Sequence, residues 1–296
     1  MANREIAALK AHIAAHSLAP TAPLAENRAA TEKRRAMKPR ADLTVERLAL
    51  NGAAADRLAF PDSADDRVVL HYHGGGYILG SATSHRAFGA ELAWATRSTV
   101  FMSDYRLAPE HPFPAAYDDA VASYRALLER GIAPGNIVLS GDSAGGGLAL
   151  ATAMTARERG WPQPASLILL SPWIDLACEG DTWRSHAALE PGTRDRLLRM
   201  TALYAGATLP KDWRLSPLFG HLTGLPPMLI MAGTDEGFVG ESVALYGQAK
   251  AAGLEASLEI WPDMIHVWPT WPDHLTAAKQ AIGRVADFIR DHAAPR

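Results

Sequence analysis

From residue 43 onward, short apolar runs alternate with longer amphipathic stretches. Runs rich in Val, Ile and Leu predict strands over 43–50, 68–73, 98–104, 136–140, 166–171, 228–232 and 257–261. Apolar residues at helical spacing predict helices over 84–97, 115–130, 145–159, 239–252 and 273–292. Val138-Leu139 and Leu167–Leu170 are nearly continuous apolar runs, the pattern of strands buried on both faces. Strand and helix alternating in this way predict an α/β fold: a mostly parallel sheet covered by helices on both faces. Right-handed crossovers follow.

Two segments break the rhythm. Residues 1–41 are Ala-rich and punctuated by Pro20, Pro23 and Pro39. Ile6, Leu9, Ile13 and Ala14 share one helical face, and Leu24 through Met37 reads as a second helix after a proline break. The basic cluster Lys33, Arg34, Arg35, Lys38 and Arg40 reads as a solvated helix face, although the helix pair can also cover part of the main domain. Residues 172–225 carry Trp173, Trp183, Tyr204, Trp213 and Phe219 among turn residues and read as an insertion between strands. The expected organisation is 1–41 as N-terminal cover, 42–171 and 226–296 as two parts of a catalytic domain, and 172–225 as a second piece of cover.

Composition narrows the function. The chain has 296 residues, 48% of them hydrophobic and 21% charged, the mix of a globular protein rather than a disordered one. A formal charge of −3 gives no reason to expect nucleic acid or an anionic membrane as partner. The single cysteine, Cys178, excludes a disulfide framework and a cysteine-rich metal site. No apolar run is long enough to span a bilayer, and the N-terminus lacks an apolar signal core, so the default location is the cytoplasm.

The chemistry sits at strand ends. Gly141-Asp142-Ser143-Ala144-Gly145 follows a predicted strand and opens a predicted helix, the context in which G-x-S-x-G places a nucleophilic serine on a sharp turn. The helix that starts there aims free N–H groups at the site, and Ala144 supplies one to a developing oxyanion. The alternative, a phosphate-binding turn, lacks the lysine of a phosphate loop. His73-Gly74-Gly75-Gly76 follows another strand. Three glycines there imply a backbone that must approach another group, with Gly75 and Gly76 as further oxyanion donors. His73 reads as a residue that holds this loop.

His266 follows the strand ending at Trp261 and therefore shares an edge with Ser143, since parallel strands gather their C-terminal ends. Other histidines lack such a setting: His12, His16 and His292 read as exposed on terminal helices. The acid must come from the loop after 228–232, where Asp235 and Glu236 are adjacent; the residues alone do not separate them.

The blocks His73-Gly74-Gly75-Gly76-Tyr77, Asp104-Tyr105-Arg106-Leu107-Ala108-Pro109-Glu110 and Gly141-Asp142-Ser143-Ala144-Gly145-Gly146, in that order, resemble the hormone-sensitive-lipase-like branch of the α/β-hydrolases, bacterial esterase family IV. The resemblance covers residue 43 to the end. It implies an eight-stranded sheet, a helical cap built from N-terminal helices and a mid-chain insertion, and a carboxylesterase acting on short- to medium-chain acyl esters. Dimerisation is plausible by analogy with relatives. The usual acid pattern, Asp-Pro-Leu-x-Asp with its first Asp thirty residues before the histidine, is replaced here by Asp235-Glu236-Gly237-Phe238-Val239. Spacing favours Glu236 and residue type favours Asp235.

The expected reaction is acyl transfer to water: Ser143 attacks, His266 carries the proton, and Gly75, Gly76 and Ala144 hold the oxyanion. It needs a small ester and neither cofactor nor metal. Activity is expected to fall as pH drops through roughly 6–7, where a histidine base becomes protonated. An amidase, lactonase or carbamate hydrolase on the same residues is the rival enzyme reading. A receptor on a catalytically dead hydrolase fold is the rival outside enzymes. Trp183, Tyr204, Trp213, Phe219 and Phe238 are candidates to shape an acyl or alcohol pocket, against ordinary core packing.

Overall fold

The computed structural model describes residues 2–19, 22–36, 40–190 and 193–293. Eight strands form one sheet: β1 (Thr44–Leu50), β2 (Ala53–Ala59), β3 (Ala64–Tyr72), β4 (Ser98–Asp104), β5 (Ile137–Asp142), β6 (Ser166–Leu170), β7 (Met228–Gly233) and β8 (Ala256–Trp261). Their order is β1-β2-β4-β3-β5-β6-β7-β8. The pairs β1/β2 and β2/β4 are antiparallel and all others parallel.

The helices are α1 (Ala2–Ala15), α2 (Leu24–Arg34), α3 (Arg86–Thr96), α4 (Ala115–Glu129), α5 (Ala144–Glu158), α6 (Thr182–Ser185), α7 (Thr193–Ala205), α8 (Val239–Ala251) and α9 (Thr276–His292). Strand side chains alternate between faces. Ile137, Leu139, Leu167, Leu169, Met228 and Ile230 enter one core with residues of α4, α5 and α8. Val138, Ile168, Leu170, Leu229 and Met231 enter a second core with α3 and α9. Every residue of β5, β6 and β7 is buried, which explains the apolar runs Ile137–Leu139, Leu167–Leu170 and Met228–Ala232 within them. At about 25 cal/mol per Å² of apolar surface, these two layers dominate the fold's stability.

The strand missing from the seven read in the sequence is β2, whose Ala-rich run lacks β-branched residues. The turn Asn51-Gly52, with φ of 50° and 89°, joins it to β1 as a tight hairpin. Strand β3 starts earlier than expected, at Ala64, and leaves His73 outside it. Helix α2 ends at Arg34; Met37, Lys38 and Pro39 lie outside the described residues, as do Met1 and Pro20.

The N-terminal helices pack on the main body. Ile6 and Leu9 are buried in the second core. Glu5 accepts from the Thr276 amide and hydroxyl, and Glu32 accepts from the Ser81 hydroxyl. Arg28 reaches both Glu110 oxygens and the carbonyls of Ile78 and Ala108. The predicted solvated basic face is therefore corrected in part. Lys33 is exposed, but Arg34 and Arg35 are half-buried, and Arg40 pairs with Glu91 and lies over Trp94. His12, His16 and His292 are half-buried rather than exposed: each bonds a carbonyl or carboxylate through a ring nitrogen. No helix among the described residues is long and apolar enough to cross a membrane.

Candidate active site

Four parallel strands deliver their following loops to one rim. Strand β5 leads into Ser143, β3 into the glycine loop, β7 into Glu236 and β8 into His266. Ser143 sits at φ 54° and ψ −121°, a conformation rare for a residue with a side chain. The neighbouring structure over-determines it. Its amide donates to Leu170 O at 2.9 Å, and its carbonyl accepts from Gly146 and Trp173, each at 2.9 Å. The turn is tight enough that a Cβ on Gly145 would lie 1.8 Å from Tyr72 O, so glycine is obligatory where α5 crosses β3.

His266 Nε2 lies 2.9 Å from Ser143 Oγ, and His266 Nδ1 lies 2.6 Å from Glu236 Oε2. Glu236 is fully buried. Its other oxygen accepts from the Gly233 amide at 2.6 Å and the Ser171 hydroxyl at 2.7 Å. A buried carboxylate needs such donors, and here every contact fixes its direction. Phe238 stacks on the imidazole, with centroids 4.1 Å apart. Asp235 turns elsewhere: it lies 3.5 Å from Lys10 Nζ, and its amide donates to Met264 O. The structure thus brings Glu236, and not Asp235, to the histidine.

Gly75 has φ +127°, and a Cβ there would meet Leu79 O at 2.1 Å. Among the described residues no acceptor takes the amide hydrogens of Gly75, Gly76 or Ala144. Unpaired donors beside a hydroxyl are suited to charge that forms only during reaction. His73 braces the loop, as expected: its ring stacks on Tyr105 at 4.2 Å, and Tyr105 donates to His73 O at 2.7 Å.

The sequence reading missed what lies behind this loop. Asp142 Oδ1 accepts from the Gly74 amide at 3.0 Å and pairs with His71 Nε2 at 3.1 Å, while His85 Nε2 lies 3.5 Å from Oδ2. Burial alone would raise the Asp142 carboxyl, but attraction to His85 and the hydrogen bond with His71 outweigh it and hold it well below the usual carboxylate range. Burial also lowers His73, and it lowers His85 to about 4. Ser171, at the end of β6 between the strands carrying Ser143 and Glu236, was also missed; its strand-end position was the available signal.

Ser143 and His266 open into a cavity of about 900 Å³, large enough for a small organic molecule. Residues of α1, α2 and α7 line it, including Ile13, Leu24, Leu197 and Met200. Of the five aromatic candidates only Phe238 lines this cavity. Tyr204 stacks on Tyr77 in the core, Trp183 packs edge-on against Phe238, and Phe219 is exposed. Tyr204 and Trp183 thus serve packing, because α7 turns Leu197 and Met200 rather than Tyr204 towards the cavity.

Comparison with known proteins agrees with this geometry. A family profile described as the alpha/beta hydrolase fold matches residues 69–270. An acetyl-hydrolase of Streptomyces hygroscopicus is 44% identical over 232 residues, 78% of this chain and 77% of that protein. An esterase of Acinetobacter venetianus is 36% identical, covering 75% of this chain and 74% of its own. Among solved structures, an esterase from the bacterial hormone-sensitive lipase family superposes with a TM-score of 0.95 at 40% identity, covering 98% of this chain and 99% of its own. A hormone-sensitive lipase from a metagenome library superposes with a TM-score of 0.93 at 36% identity, covering 99% of both chains.

Proposed function

This chain belongs to the hormone-sensitive-lipase-like esterases of the α/β-hydrolase fold, and on that premise we propose that Ser143, His266 and Glu236 form its catalytic triad. It hydrolyses carboxylic esters. One observation supports the triad above all: the unbroken chain of hydrogen bonds from Glu236 through His266 to Ser143.

In the proposed reaction Ser143 Oγ attacks the ester carbonyl as its proton passes to His266 Nε2. The carbonyl oxygen becomes an oxyanion held by the Gly75, Gly76 and Ala144 amides. Because that charge exists only in the transition state, donors already in place lower the barrier rather than tighten substrate binding. The C–O bond to the alcohol then breaks, and His266 gives the leaving oxygen its proton. Water, deprotonated by His266, attacks the acyl-enzyme, and collapse of the second oxyanion returns the proton to Ser143. Glu236 keeps Nδ1 protonated and stabilises the imidazolium.

Residues 1–41 and 172–225 are proposed as two pieces of a cap, a reading supported by the residues of α1, α2 and α7 that line the cavity. Short- to medium-chain acyl esters suit its size. The open β8 edge, with Ile260 exposed, supports a homodimer, which light scattering would test. The decisive experiment is an acyl series of p-nitrophenyl esters from two to about twelve carbons on wild type and Ser143→Ala, with fluorophosphonate labelling. Wild type should turn over the shorter esters and label at one site. Unimpaired hydrolysis by Ser143→Ala would overturn the assignment.

A further inference from the structure

The cavity that Ser143 opens into is apolar along most of its wall, yet arginines line it from two elements, half-buried on one and exposed on the other. Arg34 and Arg35 come from the end of α2, and Arg196 and Arg199 from α7. Among the described residues none of these four has a carboxylate within ion-pairing distance. Arg35 is otherwise engaged: it donates to the Thr270 hydroxyl at 3.0 Å and lies over the Trp271 ring. Arg34 is not. Its Nη1 reaches only the Ser17 hydroxyl at 3.0 Å, and its buried Nε meets no acceptor. Burial and the positive charge of Arg196 both depress the Arg34 guanidinium, which places two like charges at one cavity wall.

Among the described residues, two of the three acidic groups facing this space are engaged elsewhere. Asp235 is paired with Lys10, and Asp142 is engaged by His71 and the Gly74 amide. Glu190 accepts from the Gly237 amide at 3.2 Å; burial pushes its carboxyl up, while the attraction of His266 and Arg196 opposes that rise without reversing it. A neutral acyl chain filling the cavity would lie against Arg34 without supplying an acceptor for its buried Nε, at a desolvation cost. A carboxylate matches the planar fork of a guanidinium and can accept two parallel N–H bonds.

Resting on the esterase reading above, we infer that the substrates are esters carrying a second, ionised carboxylate, held by Arg34 and Arg196 while the ester carbonyl meets Ser143. Half-esters of dicarboxylic acids place that charge on the acyl side, and acyl esters of hydroxy acids place it on the alcohol side. The carboxylate takes no part in bond making; it positions the ester and offsets the cationic wall.

The test compares kcat/KM for charged and neutral partners: monomethyl esters of C4–C8 dicarboxylic acids beside methyl alkanoates of equal length, and butyryl esters of ω-hydroxy acids beside butyryl esters of the matching alkanols. Wild type should favour the charged member of at least one set by about tenfold or more, the scale of one well-placed ionic contact. That ratio should fall about tenfold in Arg34→Gln and in Arg196→Gln, mainly through KM, and be restored only in part in Arg34→Lys, which keeps the charge but not the fork. A measurement without any variant guards against misfolding: raising NaCl from 0.05 to 0.5 M (roughly a threefold shorter screening length) should depress wild-type turnover of the charged esters more than of the neutral ones. Hydrolysis of neutral esters with no preference for the charged partner, or a ratio unmoved by salt and by both glutamine variants, would overturn the inference and leave the esterase reading standing. Failure to hydrolyse any ester would overturn both.

Discussion

Glu236 places a carboxylate oxygen 2.6 Å from His266 Nδ1, thirty residues along the chain, while the adjacent Asp235 faces Lys10 instead. Neighbouring residues in a loop point in different directions, and only the buried one meets the ring. Glu236→Gln replaces the acceptor oxygen with an amide that can no longer hold the imidazole's charged form. It should lower kcat by about 10³–10⁴ with little change in KM. Asp235→Asn should cost less than about tenfold, because it disturbs only a partly exposed ion pair. Steady-state kinetics on p-nitrophenyl butyrate separates the two, and equal losses would refute the assignment.

The glycine loop makes a second demand on geometry. Gly75→Ala forces a side chain onto Leu79 O at a φ of +127°. The peptide must rotate, and with it the amide proposed to meet the oxyanion. Loss of one such donor typically costs about 10²–10³ in kcat. The expected result is a fall of that size per active site, with sites counted by fluorophosphonate titration. Normal turnover per labelled site would remove Gly75 from the oxyanion hole.

Much of this site was legible because its chemistry is local: the Gly-Asp-Ser-Ala-Gly turn, the glycine run and a histidine after a late strand each need particular residues within a few positions. The spacing of Glu236 from His266 carried the acid as well. What stayed hidden depends on packing between distant segments. Strand β2 shows no strand-like composition and is held by its register with β1 and β4. The same applies to Arg34: helical periodicity put it among solvated charges, and α7, more than 150 residues later, turns it into a cavity wall. Asp142 and His85 meet only because α3 begins beside β5.

The aromatic residues of the insertion illustrate this limit and allow a test. Phe219 lies outside the cavity, and Leu197 and Met200 line it. Phe219→Ala should leave the acyl-length optimum where it is in wild type. Leu197→Trp should fill space beside the serine and move the optimum towards shorter chains, with kcat/KM for the longest accepted ester falling about tenfold or more. An optimum that follows Phe219 and ignores Leu197 would mean that substrate occupies a different volume.

Stability should depend on pH through the buried histidines behind the glycine loop. His85 is lowered to about 4 by burial, against about 6.5 for an unfolded histidine. Between those values the unfolded chain binds more protons than the native one, so native stability declines as pH falls from about 6.5 towards 4 and is level above that window. At pH 5 the loss attributable to His85 is roughly 2 kcal/mol. His73, lowered in the same way, adds to the decline. Asp142 does not oppose it in this range: its carboxyl is held well below the ordinary range, so it retains its stabilising charge until pH falls through that low value. Urea unfolding of wild type and His85→Gln at pH 7.5 and pH 5.0 should therefore show a smaller shift of midpoint between the two pH values in the variant, even if the variant is less stable at both. Equal shifts would mean that the native protein accommodates a protonated His85 beside Asp142, and that the cluster braces the Gly74 amide in either charge state.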